Sequence, residues 1–366
     1  MNTSQALAAL RSERSFAPHL TVRRAWPHTN ASLIAEIYNG QTELLGAAHI
    51  DAAGHVRELP YGTDAKLPEL AGDLREPGSQ LLVHRAGKRA VVMHSGRVSK
   101  HLKPVKVRSV VTASAAVGNL ASASGFTVAE VINAGHSRVD FSKVAGRSLF
   151  QLADQGLEAW SHFALNWSAF LERGSAAYRS GEALHSPQED YRPPVHSANE
   201  EALVLEQWVG HTEAYNAFSG LSDRSIGGAE LSAAAQRVAH ELRSTETHSD
   251  YVLLHRDLHD KQLLWDGTSL GIIDLDTAAY GEAALDVGNL LAHVELRATQ
   301  GIYSRAFSAH IIKNLEQLAA KCAIPEARLE LYRQAARIRI ACVYSFRPSA
   351  QRWLPSWIKH TLTPIH

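Results

Sequence analysis

The segment YVLLHRDLHDKQLLWDGTSLGIIDLDTAAYGEAALDVGNLLAHVE, residues 251–295, places acidic residues at the ends of short apolar runs. Residues 251–254 form an apolar run that is typical of a buried strand, and Asp257 follows on the loop that leaves it. The apolar runs 263–265 and 270–273 are separated by an Asp-Gly turn, so they predict a β-hairpin. The sequence therefore predicts that core strands hold the acidic residues in place.

The predicted hairpin brings oxygen ligands to one of its ends. Gln262 precedes its first strand and Asp274 follows its second strand, so we expect these side chains to lie close together. Hard divalent cations such as Mg²⁺ take amide and carboxylate oxygens of this kind, together with phosphate and water. Asp276 is as consistent with capping the helix expected to begin near Ala283, or with accepting backbone hydrogen bonds, as with a metal contact. His255 and His259 lack a third ligand at a zinc-binding spacing, so His255 is expected to hold the loop.

The two motifs HRDLHDKQLL and IIDLDTAAYGEAALDVGNLLAH resemble the catalytic and metal-binding segments of the aminoglycoside phosphotransferase and choline kinase family. The resemblance implies a small-molecule kinase with an α+β, protein-kinase-like bilobal fold. It also implies that Asp257 is the catalytic residue, that Gln262 and Asp274 bind Mg²⁺, and that ATP is the phosphoryl donor. The family pattern has Asn where this chain has Gln262, which offers the same amide oxygen on a longer stem. Asp286 matches an Asp that braces the catalytic loop.

The upstream sequence is expected to form a β-rich, ATP-binding N-lobe. Turns and alternating residues predict an antiparallel meander over 79–104, and the resemblance implies that a lysine on its third strand contacts the ATP phosphates. Lys100 shares its face with apolar neighbours and is our prediction for this lysine, with Lys103 as the alternative. The expected helix 107–126 contains no acidic residue to pair with the lysine. The phosphate loop is poor in glycine, offering Gly87 alone between the first two strands.

The segment FSKVAGRSLFQL resembles the hinge of the family, where backbone groups pair with adenine. This resemblance makes Ser142, Lys143 and Val144 the predicted adenine contacts. The residues before the N-lobe are expected to form a small β-rich cap, for substrate gating, dimer contact or protection of a sheet edge. The predicted regions are the N-terminal cap or extension, 1–75, the N-lobe, 76–145, and the mainly helical C-lobe with the catalytic loop and acceptor pocket, 146–366.

Helices beyond the catalytic loop form the acceptor pocket in this family, and the C-lobe sequence shows helical apolar spacing there. The acceptor is expected to be a small molecule with a hydroxyl group, and the sequence leaves open whether it is an aminoglycoside, a sugar or an amino alcohol. The candidate lining residues are Glu295, Arg297, Tyr344, Arg347 and Trp353.

Composition limits the remaining classes of protein. The 366 residues are 45% hydrophobic and 20% charged, which is enough for two or three domains with full cores. The 37 Lys and Arg residues balance the 37 Asp and Glu residues, so neither a nucleic-acid partner nor an anionic membrane is expected. With two cysteines, no signal-peptide pattern and no membrane-spanning apolar run, the sequence predicts a cytoplasmic monomer or homodimer.

Two other functions stay open at this stage. The Gln at the metal position, the poor phosphate loop and the missing helix Glu are also consistent with a nucleotide-binding pseudokinase. The HRD motif also occurs in protein kinases. However, the residues after Asp286 enter a helix without a D-F-G motif, a long activation segment or an A-P-E motif, so a protein kinase ranks third.

Overall fold

The computed structural model describes residues 4–12, 15–187, 189–219, 227–245 and 251–363. Their strands and helices form a β-rich N-lobe and a mainly helical C-lobe, preceded by a separate N-terminal sheet. This is the α+β architecture that the sequence predicts. None of the described helices is long and apolar enough to cross a membrane.

The N-terminal cap consists of one helix and an antiparallel sheet with the strand order β1-β2-β3-β4. The predicted turn after Asn39 is present, and the Asn39 side chain accepts backbone N–H groups of Gln41 and Thr42 at 2.9 and 3.1 Å. Side-chain acceptors of this kind stabilise tight turns. The elements are α1 (Gln5–Arg11), β1 (Leu20–Pro27), β2 (Leu33–Asn39), β3 (Leu44–Ile50) and β4 (Val56–Glu58).

The N-lobe is a five-stranded antiparallel sheet with the order β5-β6-β7-β10-β9, followed along the chain from β7 by a long helix. That helix, α3, begins earlier than expected, because Pro104 occupies its first turn, where the missing N–H costs nothing. The elements are α2 (Leu70–Asp73), β5 (Gln80–Arg85), β6 (Arg89–Met93), β7 (Arg97–Leu102), α3 (Pro104–Ala123), β8 (Thr127–Val128), β9 (Val131–Ala134) and β10 (Arg138–Ser142).

The C-lobe contains the predicted hairpin, formed by β13 and β14, within a sheet of the order β11-β13-β14-β8. A separate antiparallel pair, β12 with β15, lies beside it. The elements are β11 (Arg147–Ser148), α4 (Leu149–Leu152), α5 (Leu157–Ser180), α6 (Ala198–Ala214), α7 (Gly228–Ser244), β12 (Val252–Leu254), β13 (Leu263–Trp265), β14 (Leu270–Ile272), β15 (Ala279–Gly281), α8 (Ala284–Thr299), α9 (Arg305–Lys321), α10 (Glu326–Tyr344) and α11 (Leu354–Leu362), with 3₁₀ turns at 153–156, 275–277 and 348–352.

Helix α5 supports the strand that leads into the catalytic loop. Its buried aromatic residues recur every three or four positions, and the rings of Phe163 and Phe170 stack on Trp167 with centroid distances of 5.6 and 4.8 Å. At Gly174 the helix approaches β12 so closely that a Cβ atom would lie 2.7 Å from the Leu253 nitrogen. Close packing of this kind fixes the position of β12 and therefore of the loop after it.

The hinge crosses directly over the hairpin at Gly146. This residue has a φ of +105°, and a Cβ atom there would lie 2.3 Å from the carbonyl oxygen of Trp265 in β13. Glycine meets both requirements, since it tolerates positive φ and lets two backbones approach. The hinge is therefore held against the same hairpin that carries Gln262 and Asp274.

The cap is attached to both lobes. Glu36 of β2 is fully buried, pairs with Arg24 at 2.8 Å and accepts the backbone N–H of His84 in the N-lobe at 2.9 Å. In the other direction, the backbone N–H of Ala25 donates to the carbonyl of Phe346 in the C-lobe at 3.0 Å. The cap therefore bridges the two lobes rather than extending the N-lobe sheet.

Candidate active site

The catalytic loop leaves β12 and is held by a buried carboxylate. Asp286, in the first turn of α8, accepts the backbone N–H groups of His255 and Arg256 at 2.6 and 2.8 Å. Nδ1 of His255 faces the N–H of Asp257 at 3.3 Å, so Nε2 carries the proton and donates to the carbonyl of Ile273 at 2.8 Å. The loop is thereby fastened to α8 and to the hairpin, and the Asp257 carboxylate stays exposed.

The hairpin brings Gln262 and Asp274 together, as the sequence predicts. Leu263 pairs with Ile272 across the hairpin, and the next backbone N–H, of Ile273, donates to the Gln262 carbonyl at 3.1 Å. The Gln262 amide nitrogen lies 3.3 Å from Oδ2 of Asp274. Rotating the amide by half a turn would present its oxygen instead, giving the amide and carboxylate oxygens that Mg²⁺ prefers.

Lys100 lies at the same place, on β7 above the hairpin. Its Nζ donates to Oδ1 of Asp276 at 2.6 Å and to Oδ1 of Asp274 at 3.3 Å. Burial lowers the pKa of Lys100, but the charges of these two carboxylates outweigh burial and raise it above its usual value. Lys103, the alternative for this role, is instead the N-cap residue of α3.

Asp276 is the acidic partner of Lys100, which the sequence did not identify. The helix α3 contains no acidic residue, so the lysine has no partner there, and the carboxylate of Asp276 takes that place from beyond the hairpin. Asp276 does not cap the following helix, because α8 begins at Ala284 with Ala283 as its N-cap residue. The capping alternative for Asp276 is therefore wrong.

The Asp274 carboxyl is strongly favoured in its ionised form. Its side chain is 42% exposed and its φ is +65°, so the carboxylate points out of the hairpin toward the cleft. Burial raises the pKa of Asp274, but Lys100 and then Arg89 outweigh it and hold this pKa far below its usual range. A carboxylate that stays ionised is available to a cation at any physiological pH.

An apolar cleft of about 300 Å³ runs between the lobes and ends at these charged groups. Its apolar residues come from the N-lobe strands on one side and from the hairpin on the other, and the hinge closes the end of the cleft. An apolar cleft with a charged end fits a nucleotide base and its phosphates. The residues that carry these features are Val83, Val91, Met93, Val98, Leu264, Ile272, Lys100, Asp274 and Asp276.

The hinge positions Ser142, Lys143 and Val144 all line this cleft. Ser142 is already engaged, because its N–H donates to the Glu130 carbonyl and its Oγ accepts the Glu130 N–H, both at 2.8 Å. Among the described residues, the backbone N–H groups of Lys143 and Val144 have no hydrogen-bond partner. These two amides are therefore the better placed of the predicted adenine contacts.

Gly87 does not act as an open phosphate loop in this structure. Its N–H donates to Oδ2 of Asp64 at 2.6 Å, which ties the turn between β5 and β6 to the segment that follows the cap. Arg89, at the start of β6, instead contributes positive charge near Asp274 and Lys100.

Two of the candidate acceptor-lining residues lie inside the C-lobe. Glu295 is buried and accepts from Arg333 and Arg337 at 2.8 and 2.6 Å. Arg297 is buried and donates to both oxygens of Asp260 at 2.8 Å. These side chains therefore stabilise helix packing and are not presented to an acceptor, which corrects the interpretation from the sequence.

Glu295→Gln is expected to lower the free energy of unfolding by about 3 kcal/mol near neutral pH, because it leaves buried cations without their partner. Burial raises the pKa of Glu295, but His360, Arg337 and Arg333 outweigh it, so this pKa lies below its usual 4.5. The stabilisation is therefore fully present above that value and is lost as pH falls through the lower folded-state pKa. Urea denaturation across this pH range should show the difference from wild type shrinking toward acid pH.

Glu316→Gln provides the matched control for this substitution. Glu316 also pairs with Arg333, at 3.2 Å, but its side chain is 47% exposed, so its loss should cost at most about 1 kcal/mol. Equal losses of stability in the two variants, or a Glu295→Gln loss that does not change with pH, would contradict the assignment of a buried ionised carboxylate.

Solved structures similar to this chain include small-molecule phosphotransferases and kinases. An aminoglycoside phosphotransferase, APH(3'')-Id from Streptomyces rimosus, is 18% identical over 75% of this chain and 95% of that chain, with a TM-score of 0.51. A choline kinase from Cryptosporidium parvum is 10% identical over 81% of this chain and 91% of that chain, also with a TM-score of 0.51. The gentamicin complex of APH(2")-IIa is 13% identical over 84% of this chain and 98% of that chain, with a TM-score of 0.51.

These likenesses confirm the predicted protein-kinase-like bilobal fold, which the chain shares with the compared phosphotransferases and kinases. The model of the phosphotransferase enzyme family matches residues 83–335, and the chain belongs to this family. The match confirms the resemblance found in the sequence and the prediction of a phosphotransferase enzyme. No curated protein matches the sequence.

Proposed function

We propose that the protein transfers the γ-phosphoryl group of ATP to a hydroxyl group of a small molecule. The observation that carries this proposal is the convergence of Lys100, Asp274 and Asp276 at the charged end of an apolar cleft between the lobes. This arrangement suits an adenine ring between the apolar walls and phosphates beside the lysine. The hinge amides of Lys143 and Val144 would bind the edge of the ring.

The charged end of the cleft has the donor set for Mg²⁺. Asp274 and Gln262 would hold the ion, which when bound neutralises charge on the phosphates. Lys100 would bind the α and β phosphates and fix their position. Asp276 would keep the Lys100 ammonium in the cleft while Asp274 faces the cation. Positioning and electrostatics of this kind supply most of the catalysis of phosphoryl transfer.

Asp257 would orient the acceptor hydroxyl. The proposed step forms a bond between the acceptor oxygen and the γ-phosphorus and breaks the bond to the β-γ bridging oxygen, with ADP as the leaving group. The hydroxyl proton passes to the Asp257 carboxylate. The bracing of this loop by Asp286 supports the role, because a general base must be held within hydrogen-bonding reach of its proton.

Incubation of the protein with ATP, Mg²⁺ and a pool of aminoglycosides, sugars, amino alcohols and hydroxy acids tests the proposal. We expect one phosphorylated product, detected by mass spectrometry, and one ADP for each product formed. ATP should raise the melting temperature more with Mg²⁺ than without it, because a ligand that binds the folded state stabilises it. ATP binding with neither product nor ADP would overturn the proposal.

A nucleotide-binding pseudokinase is the second candidate function. Gln262 favours it, because its amide nitrogen faces Oδ2 of Asp274 at 3.3 Å, and the amide has to rotate before its oxygen can join this carboxylate in binding a metal ion. A protein kinase is less consistent with the structure. The chain passes from Asp274 through a 3₁₀ turn and β15 directly into α8, without a long activation segment.

A further inference from the structure

A cluster of cations and aromatic rings lies beside the catalytic loop, among residues other than those that line the nucleotide cleft. The ring of His259, two positions after Asp257, is 4.9 Å from the ring of His293 in α8. The ammonium of Lys261 lies over the Phe150 ring, 4.1 Å from its centroid. A cation over an aromatic face is held in a defined position, because the ring attracts it and the ring itself is packed.

A second cation of the same kind lies at the end of α10. The guanidinium of Arg347 is 3.9 Å from the centroid of the Tyr344 ring, and the Trp353 ring packs against Tyr344 at 4.9 Å. Burial raises the pKa of Tyr344, yet Arg347, Arg297 and Lys261 outweigh burial and lower it below its usual value. The Arg297 guanidinium lies over the same Phe150 ring as Lys261, 4.9 Å from its centroid, and hydrogen-bonds to the Tyr344 side chain, so Arg297 connects Lys261 to the pair of Tyr344 and Arg347.

Among the described residues, Lys261 and Arg347 lack the salt bridge that Arg297 has, although Asp260 attracts Lys261 and Arg347 hydrogen-bonds to Tyr344. Arg297 is compensated by the buried carboxylate of Asp260. Among the residues that the structure describes, neither Lys261 nor Arg347 has a carboxylate within salt-bridge distance. Lys261 is exposed and Arg347 is half-buried, so both can reach a ligand. We call Lys261, Tyr344 and Arg347 the cationic patch.

We infer that the phosphoryl acceptor carries an anionic group, a carboxylate or a phosphate ester, and that the cationic patch binds this group. The inference rests on the proposed phosphoryl transfer, since it places the acceptor hydroxyl at Asp257 and the anion at Lys261 and Arg347. A planar guanidinium pairs with either anion through two hydrogen bonds. A polycationic acceptor such as an aminoglycoside would meet like charges here, which disfavours that class.

Binding of matched probes tests the inference directly. Each of two probe sets contains a neutral, a cationic, a carboxylate and a phosphate member with one carbon skeleton. The first set is glucose, glucosamine, glucuronate and glucose 6-phosphate. The second set is glycerol, serinol, glycerate and glycerol 3-phosphate. Titration calorimetry is done with Mg²⁺ and a non-hydrolysable ATP analogue present. In at least one set, we expect an anionic member to bind at least about tenfold tighter than the neutral and cationic members. A tenfold difference in affinity corresponds to the free energy of one charge-assisted hydrogen bond. The absence of this preference from both sets would overturn the inference.

Substitutions then assign the preference to the patch. Lys261→Gln and Arg347→Gln should each weaken binding of the preferred anion about tenfold and leave binding of the neutral probe unchanged. The charge-conserving Lys261→Arg and Arg347→Lys should restore part of the affinity. Lys313→Gln, an exposed lysine on α9, is the control and should change nothing. Unaltered anion binding in both Gln variants would overturn the inference.

Two further results separate the patch from the rest of the site. An equal loss of affinity for the ATP analogue in Lys261→Gln and Arg347→Gln would assign the cations to the nucleotide and overturn the inference. Tight binding of an anionic probe without ADP or product would instead contradict the proposed phosphoryl transfer and leave an anion-binding patch. Comparing the carboxylate and phosphate members of each set shows which anion the patch prefers.

Discussion

Asp257→Asn is expected to lower the rate of phosphoryl transfer by about 10²- to 10⁴-fold, because an amide cannot accept the acceptor proton. The fold should be unaffected. The Asp257 side chain is exposed, and the contact of this residue with His255 is made by its backbone N–H, which the substitution keeps. The measurements are the single-turnover rate with ATP, Mg²⁺ and the preferred acceptor, the dissociation constant of ATP, and the melting temperature.

Asp266→Asn is a matched control for this experiment. Asp266 lies in the turn of the same hairpin, where its carboxylate accepts the N–H groups of Thr268 and Ser269 at 2.8 and 2.7 Å. Asn followed by Gly also favours a tight turn, so this variant should keep both rate and fold. If Asp257→Asn turns over at the wild-type rate, Asp257 has no role in the proposed mechanism. If its affinity for ATP falls by the same factor as its rate, Asp257 acts in nucleotide binding instead.

The sequence predicts the local part of the site well, because its signals are local. Apolar runs and an Asp-Gly turn specify the hairpin, and the hairpin alone brings Gln262 next to Asp274. The structure also gives Asp286 the bracing contacts that the motif implies. Each of these features depends on residues within about one supersecondary unit, where pattern and turn chemistry determine geometry.

The parts that could not be predicted depend on contacts between distant residues. Lys100 and Asp276 are 176 positions apart, so no pattern along the chain signals their pairing. Residues 127–134 form two strands, β8 and β9, because β8 leaves the N-lobe and pairs in parallel with β14. Glu295 looks like any charged residue of an amphipathic helix, and the packing of α8 against α10 is what buries it.

Lys100→Met is expected to lower the rate by about 10²- to 10³-fold, because the phosphates lose a positioned and largely buried cation. Asp276→Asn should lower it about tenfold, the loss of one charge-assisted hydrogen bond to the lysine. If Asp276 acts through Lys100, the double variant should be no slower than Lys100→Met alone. The measurement is a double-mutant cycle on kcat and on the dissociation constant of ATP.

The outcome of this cycle decides what replaces the missing acidic residue of α3. If the rate losses of Lys100→Met and Asp276→Asn multiply in the double variant, Asp276 acts independently of Lys100, for example as a second metal ligand. In that case Asp276→Asn should need a higher Mg²⁺ concentration for half-maximal rate. Effects that do not multiply, with an unchanged Mg²⁺ requirement, would make Asp276 the positioning partner of the lysine. Lys103→Met is the control. Lys103 is the N-cap residue of α3, and among the described residues it forms no salt bridge with either carboxylate, so the rate of this variant should match that of the wild type.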